Sequence, residues 1–126
     1  MPTSPSTITA HLRAALNTGD RLPLSQILHP DVHWTPAAHQ GSPCHGRTEV
    51  LLRCSHLHTS GLRATVQETF TYPEATVLGL LVHPGDDPTT PRATHYLVFH
   101  HTDGLITRIR DYTQRHDALN AAYQGT

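Results

Sequence analysis

A hairpin near the C-terminus restricts what this chain can fold into more than any other feature. In the segment Phe99-His100-His101-Thr102-Asp103-Gly104-Leu105-Ile106-Thr107-Arg108-Ile109-Arg110-Asp111-Tyr112, alternating and β-branched residues flank an Asp-Gly dipeptide. Asp-Gly supplies the positive φ angles of a tight two-residue turn, so the chain doubles back there into two antiparallel strands. Counting by twos from the turn puts Leu105, Thr107, Ile109 and Asp111 on one face and Ile106, Arg108, Arg110 and Tyr112 on the other. One carboxylate, Asp111, therefore shares a face with apolar residues, away from both arginines.

The preceding segments supply what such a hairpin packs against. Ile8, Leu12, Ala15 and Leu16 recur at helical spacing after the Ser-Pro signals of residues 4–6, and Gly19 can end that helix in a left-handed cap. Residues 22–29 read as a short second helix with Pro23 in its first turn, stopped before Pro30. A strand over residues 32–35 and a loop over 36–45 lead to a third helix at about 47–58, which buries Val50, Leu51, Cys54 and Leu57. After Gly61 the pattern changes to strands at 63–71 and 75–83, joined at Tyr72-Pro73-Glu74. The continuously apolar run 77–82 predicts burial on both faces. Residues 84–91 form a loop in which Asp86-Asp87 reads as a solvated turn. Strands at 92–101 and 105–111 follow, and a helix at 114–123 closes the chain through Ala118, Leu119 and Ala122. Helices first and a curved, mainly antiparallel sheet afterwards is an α+β architecture.

At 126 residues the chain is expected to form one domain, residues 1–126, with a single site. A formal net charge of −1, with acids and bases interspersed, excludes the basic surface that nucleic acid or an anionic membrane requires and favours a small neutral partner. No long apolar run occurs, and residues 1–6 lack the regions of a signal peptide, so a cytoplasmic location is expected. Cys44 and Cys54 have no metal-ligand spacing and read as reduced thiols. Twelve histidines invite a metal reading, but His56 and His58 diverge on a helix, and His100 and His101 point to opposite faces of a strand. No metal and no cofactor are expected.

Gly104-x-Ile106-x-x-x-Arg110-Asp111-Tyr112, followed at once by a helical pattern, resembles the last strand of the SnoaL-like branch of the nuclear-transport-factor-two-like superfamily. The order of elements along the chain is similar to that family as well. Its members include polyketide cyclases and limonene epoxide hydrolase, with ketosteroid isomerase and scytalone dehydratase more distant. The resemblance implies a cone-shaped α+β barrel, its strongly curved sheet wrapped around the N-terminal helices, with a hydrophobic cavity open at one end. It also implies a homodimer through the outer sheet face, which here would carry Tyr96, Val98, Ile106 and Tyr112 among Arg108 and Arg110.

Aligned on the family pattern with Asp111 inward, Ala93, His95, Leu97 and Phe99 face the cavity from the adjoining strand, with Ile109 beside Asp111 and with Trp34 and Pro36 from the first strand. Desolvation disfavours a carboxylate anion among such residues, whereas an imidazole within reach stabilises it; either arrangement yields an acid–base site. By resemblance Asp111 is the general base or acid and His95 its partner or the stabiliser of an oxyanion, while Trp34, Pro36, Leu97, Phe99, Ile109 and Ala93 shape a pocket for a small apolar metabolite. The chain departs from its relatives in two places. The arginine and second aspartate of the epoxide hydrolases are missing from the strand that reads Val77-Leu78-Gly79-Leu80-Leu81, and Pro36 stands near the base of ketosteroid isomerases. Cyclisation or isomerisation therefore ranks above hydrolysis, and a non-catalytic binding module of the same fold is the alternative. Plainer roles stay open for each residue: Asp111 as a cap of the last helix, His95 as a structural histidine and Trp34 as core.

Overall fold

The computed structural model describes residues 5–18, 21–36, 42–84 and 93–124. Its elements run α1 (Pro5–Thr18), α2 (Arg21–Ile27), β1 (Leu28–Thr35), β2 (Cys44–His45), α3 (Arg47–Thr59), β3 (Leu62–Tyr72), β4 (Ala75–Pro84), β5 (Ala93–Thr102), β6 (Leu105–Tyr112) and α4 (Arg115–Gln124). The six strands form one curled sheet in the order β2-β1-β6-β5-β4-β3. All neighbours are antiparallel except β1 and β6. The sheet stays open: β2 and β3 are its two edges, and they do not pair to close a barrel. The Gly19 cap, the turn at Asp86-Asp87 and the start of a strand at Arg92 lie outside the described residues.

The hairpin forms as its sequence dictates. Asp103 and Gly104 take φ of 53° and 82°, the pair of positive angles that a type I′ turn needs. Simple alternation, however, fails within β6. His100 faces Arg108 but His101 faces Ile106, so Thr107 is an extra residue and the strand bulges. The bulge turns Ile106 inward, where it is fully buried beside Leu28, Ile8 and Val32. Ile106 is therefore not on the outer face, and His101 joins the buried side as well.

A second irregularity revises the N-terminal half. Helix α2 ends at Ile27 rather than at residue 29, and β1 begins at Leu28 instead of residue 32. Leu28 pairs with Ile106 and His33 with Arg108, five residues on β1 against two on β6. Pro30 is tolerated inside this break because no ladder bond is required of it there. The carbonyl of Leu28 accepts instead from Arg47 Nε and Nη2 at 3.0 and 2.8 Å, which ties the start of α3 to β1. Residues 44–45 of the expected loop pair with β1 as the short strand β2.

The inner core joins Ile8 and Leu12 of α1, Val50 of α3 and the concave faces of β1, β4, β5 and β6. Leu52 of α3 faces outward at 63% exposure, and Leu57, expected to be buried, is 37% exposed. A smaller cluster lies on the convex face, where Ala118 and Ala122 of α4 cover Ala75, Val77 and Val98. Residues 77–80 of the apolar run in β4 are thus buried on both sides, whereas Leu81 and Val82, expected to be buried with them, are half-buried. Gly79 lets the convex face pack closely: a Cβ here would stand 3.1 Å from Tyr96 Cε1 and 3.3 Å from Glu68 Cβ, tighter than ordinary van der Waals contact. Arg115 secures α4 from its first turn, pairing with Glu68 at 3.1 Å and lying over the Phe70 ring. Among the described residues no helix is long and apolar enough to cross a membrane.

Candidate functional site

The concave face of the sheet and helices α1, α2 and α3 enclose a pocket of about 550 Å³. That volume suits a drug-sized molecule. Most of its wall is aliphatic or aromatic: Leu12 and Leu16 from α1, Trp34 from β1, Leu80 from β4, and Leu97 and Phe99 from β5. The polar groups are few, which makes their placement informative.

At one wall His95 and Asp111 meet. Leu97 faces Asp111 directly across the β5–β6 ladder, so His95, two residues earlier on the same face, is its diagonal neighbour. Their side chains close that diagonal, with Nδ1 of His95 and Oδ1 of Asp111 3.2 Å apart and only 15% and 11% of the side chains exposed. An ionised carboxylate can only accept, so with Asp111 ionised the proton of this bond is carried by Nδ1 of His95. The pairing depends on the bulge: the register set at the turn, Thr102 facing Leu105, would bring Tyr96 opposite Asp111, and the extra residue Thr107 shifts it by one so that Leu97 faces Asp111 and His95 shares its side.

The structure brings together most of the residues that the sequence singled out. Trp34, Pro36, His95, Leu97, Phe99, Ile109 and Asp111 all line the pocket. Ala93 does not: it is exposed at the start of β5, beyond the wall. Trp34 is buried beside Ile109, its register partner across β1 and β6. Among the described residues no group of three or more His, Cys, Asp or Glu side chains is placed to hold a metal ion.

No protein-family model matches the chain, and no curated protein matches its sequence. Solved structures do match. A nuclear-transport-factor-two-like protein of unknown function from Cytophaga hutchinsonii superposes with a TM-score of 0.71 at 12% identity, covering 94% of this chain and 97% of its own. The chain has the nuclear-transport-factor-two-like fold. Two further structural neighbours carry functional names. A candidate ketosteroid isomerase from Kribbella flavida has a TM-score of 0.74 at 17% identity, covering 91% of this chain and 82% of its own. A candidate polyketide cyclase from Sinorhizobium meliloti has a TM-score of 0.69 at 20% identity, covering 83% and 93%.

Within the nuclear-transport-factor-two-like frame, α3 contributes a second polar group to the pocket that sequence reasoning missed. Arg53, Cys54, Ser55, His58 and Thr59 line it, together with Arg63 at the start of β3. Arg53 is half-buried, its guanidinium carbon 5.3 Å from the centroid of the Trp34 ring. Its Nη1 donates to the Ser42 carbonyl at 2.8 Å and to Cys44 Sγ at 3.6 Å. A signal for it existed, since residue 53 is three after Val50 and four before Leu57 and so shares their helix face. Cys44 and Cys54 are both thiols.

Proposed function

We propose that this chain is a SnoaL-like small-molecule enzyme that carries out cofactor-free acid–base chemistry, ring closure or isomerisation, on a largely apolar cyclic metabolite held in the pocket. The observation that carries this reading is the His95–Asp111 pair at 3.2 Å, little exposed and set into an otherwise mostly apolar wall. Asp111 fixes the tautomer and stabilises the imidazolium, and His95 Nε2 takes a proton from a carbon acidified by a neighbouring carbonyl. Returning that proton to another atom isomerises the substrate; attack of the carbanion on a second carbonyl forms the ring's C–C bond as the C=O π bond breaks, and the resulting alkoxide takes the proton back from His95. No electron leaves or enters, so no redox cofactor is required. Trp34, Leu97 and Phe99 exclude water and hold the ring system flat.

Solvent-exchange NMR tests the reading without knowledge of the natural substrate. Cyclic enones and aryl methyl ketones incubated with the protein in D2O should exchange their α-hydrogens faster than in buffer. Asp111→Asn should slow that exchange by about 10²- to 10⁴-fold, the range spanned by general-base and tautomer-setting groups. Exchange that is equally fast in Asp111→Asn and His95→Ala would refute the assignment. A second reading, a binding module without chemistry, is favoured by Pro36, which has no proton to exchange and stands near the position where the resemblance puts the base of ketosteroid isomerases. It predicts ligand binding with no exchange in any variant.

A further inference from the structure

The charges in the pocket wall are unbalanced. Among the described lining residues the permanently charged or acidic side chains are Arg53, Arg63 and Asp111, two guanidinium groups against one carboxylate. That carboxylate is engaged by His95. Arg63 is exposed, and its Nη1 serves the backbone at the end of α3, donating to the carbonyls of His58 and Leu62 at 2.9 Å each. Arg53 is different. It is drawn in against Trp34, and its Nη1 is held by the carbonyl of Ser42 and the sulfur of Cys44. Its charge therefore stays in one place instead of snorkelling to water on a mobile stem.

Trp34 connects this cation to the acid–base pair. The indole has Arg53 against its ring, while on the sheet it neighbours Ile109, which is two residues before Asp111 on the same strand face. Arg53, Trp34, His95 and Asp111 all line the one pocket, so a single ligand held there can meet both the cation and the acid–base pair. A guanidinium remains protonated in proteins, and an electrostatic contact gains strength where apolar walls exclude water. An uncharged hydrocarbon makes no use of it.

We infer that the ligand is an amphiphile, an apolar ring system bearing an anionic oxygen group such as a carboxylate or an acidic enol, and that Arg53 selects it by binding that group. This rests on the pocket reading above and narrows its substrate class. Arg53 is a specificity residue here, and it orients the ring so that the carbon to be deprotonated lies at His95.

Two fluorescent probes sharing one arylamine scaffold test the inference: 8-anilinonaphthalene-1-sulfonate, which is anionic, and N-phenyl-1-naphthylamine, which is neutral. Trp34 is the chain's one tryptophan and lines the pocket, so energy transfer from it reports a bound probe, and loss of that transfer in Leu97→Arg, which fills the pocket, marks the binding as internal. Arg53→Met should weaken the anionic probe by about 10- to 100-fold, as loss of a hydrogen bond to a charged group does. It should change the neutral probe less than about twofold, and Arg53→Lys should restore part of the anion's affinity by returning the charge. Equal weakening of both probes would mean that Arg53 only props the wall through Ser42 and Cys44, and the inference fails. An unchanged anion affinity in Arg53→Met, with Trp34-sensitised binding of the neutral probe retained, overturns the inference and leaves the proposed function standing. If neither probe draws energy from Trp34 in the wild type, the pocket reading and the inference fall together.

Discussion

Acidification should destabilise this protein through one histidine on the convex face of the sheet. His100 Nε2 accepts a hydrogen bond from Arg110 Nη2 at 2.9 Å. Because a guanidinium only donates, Nε2 must keep its lone pair, and protonation would both break the bond and oppose two cations. Arg108, its register partner across the ladder, adds to the repulsion. Burial first, then Arg110, Arg108 and His101, push the His100 pKa from 6.5 down to about 4. The native state thus binds fewer protons than the unfolded chain between those values. The stabilising contribution is complete above the unfolded value and is lost as pH falls from 6.5 through about 4. Over the whole window the loss approaches ~3 kcal/mol, and near pH 5 it is already about 2 kcal/mol. His101 is also lowered, chiefly by burial, and adds in the same direction. Urea unfolding from about pH 4.5 to 7.5 measures the slope. His100→Gln, which offers Arg110 an acceptor that does not titrate, should remove about 2 kcal/mol of the pH dependence near pH 5. Parallel slopes for the two proteins, or a His100 ring proton titrating near its ordinary value, would refute the argument.

Two further substitutions probe the features that alternation alone does not predict. Ile106→Ala should cost about 2–5 kcal/mol in urea unfolding because Ile106 is fully buried beside Leu28; a cost below about 1 kcal/mol would mean that it faces outward and that the bulge is absent. Gly79→Ala should destabilise by about 1–3 kcal/mol, since its Cβ meets Tyr96 and Glu68 at 3.1 and 3.3 Å, and a neutral outcome would show that the convex cluster under α4 is loosely packed.

The pocket was partly legible in the sequence because strand faces obey a period of two wherever the ladder is regular. Counting by twos put Ile109 and Asp111 on one face, whereas Leu97 and Phe99 were assigned to the same side by the family resemblance; the ladder satisfies both because the bulge at Thr107 shifts the register by one residue. Ala93 failed for a different reason. Its parity is that of the inward face, but on β5 the wall stops at His95, two residues after Ala93, and where a cavity stops depends on what packs over the sheet. Arg53 went unseen because a single arginine among apolar helix positions has the same sequence pattern whether its head reaches water or is captured by Ser42 and Cys44.

Local chemistry alone determined the type I′ turn at Asp103-Gly104, the apolar stripe of α1 and the presence of one carboxylate on an apolar strand face. Each follows from residues a few positions apart, whose backbone preferences and spacing act before any long-range contact forms. Long-range packing decided the rest: the bulge at Thr107 that turns Ile106 inward, the extension of β1 through Pro30, the open sheet edges, the coverage of Val77 and Val98 by α4, and the meeting of Arg53 with Trp34. These depend on which surfaces become buried together. The free energy of that burial belongs to pairs of distant residues and to no segment taken singly.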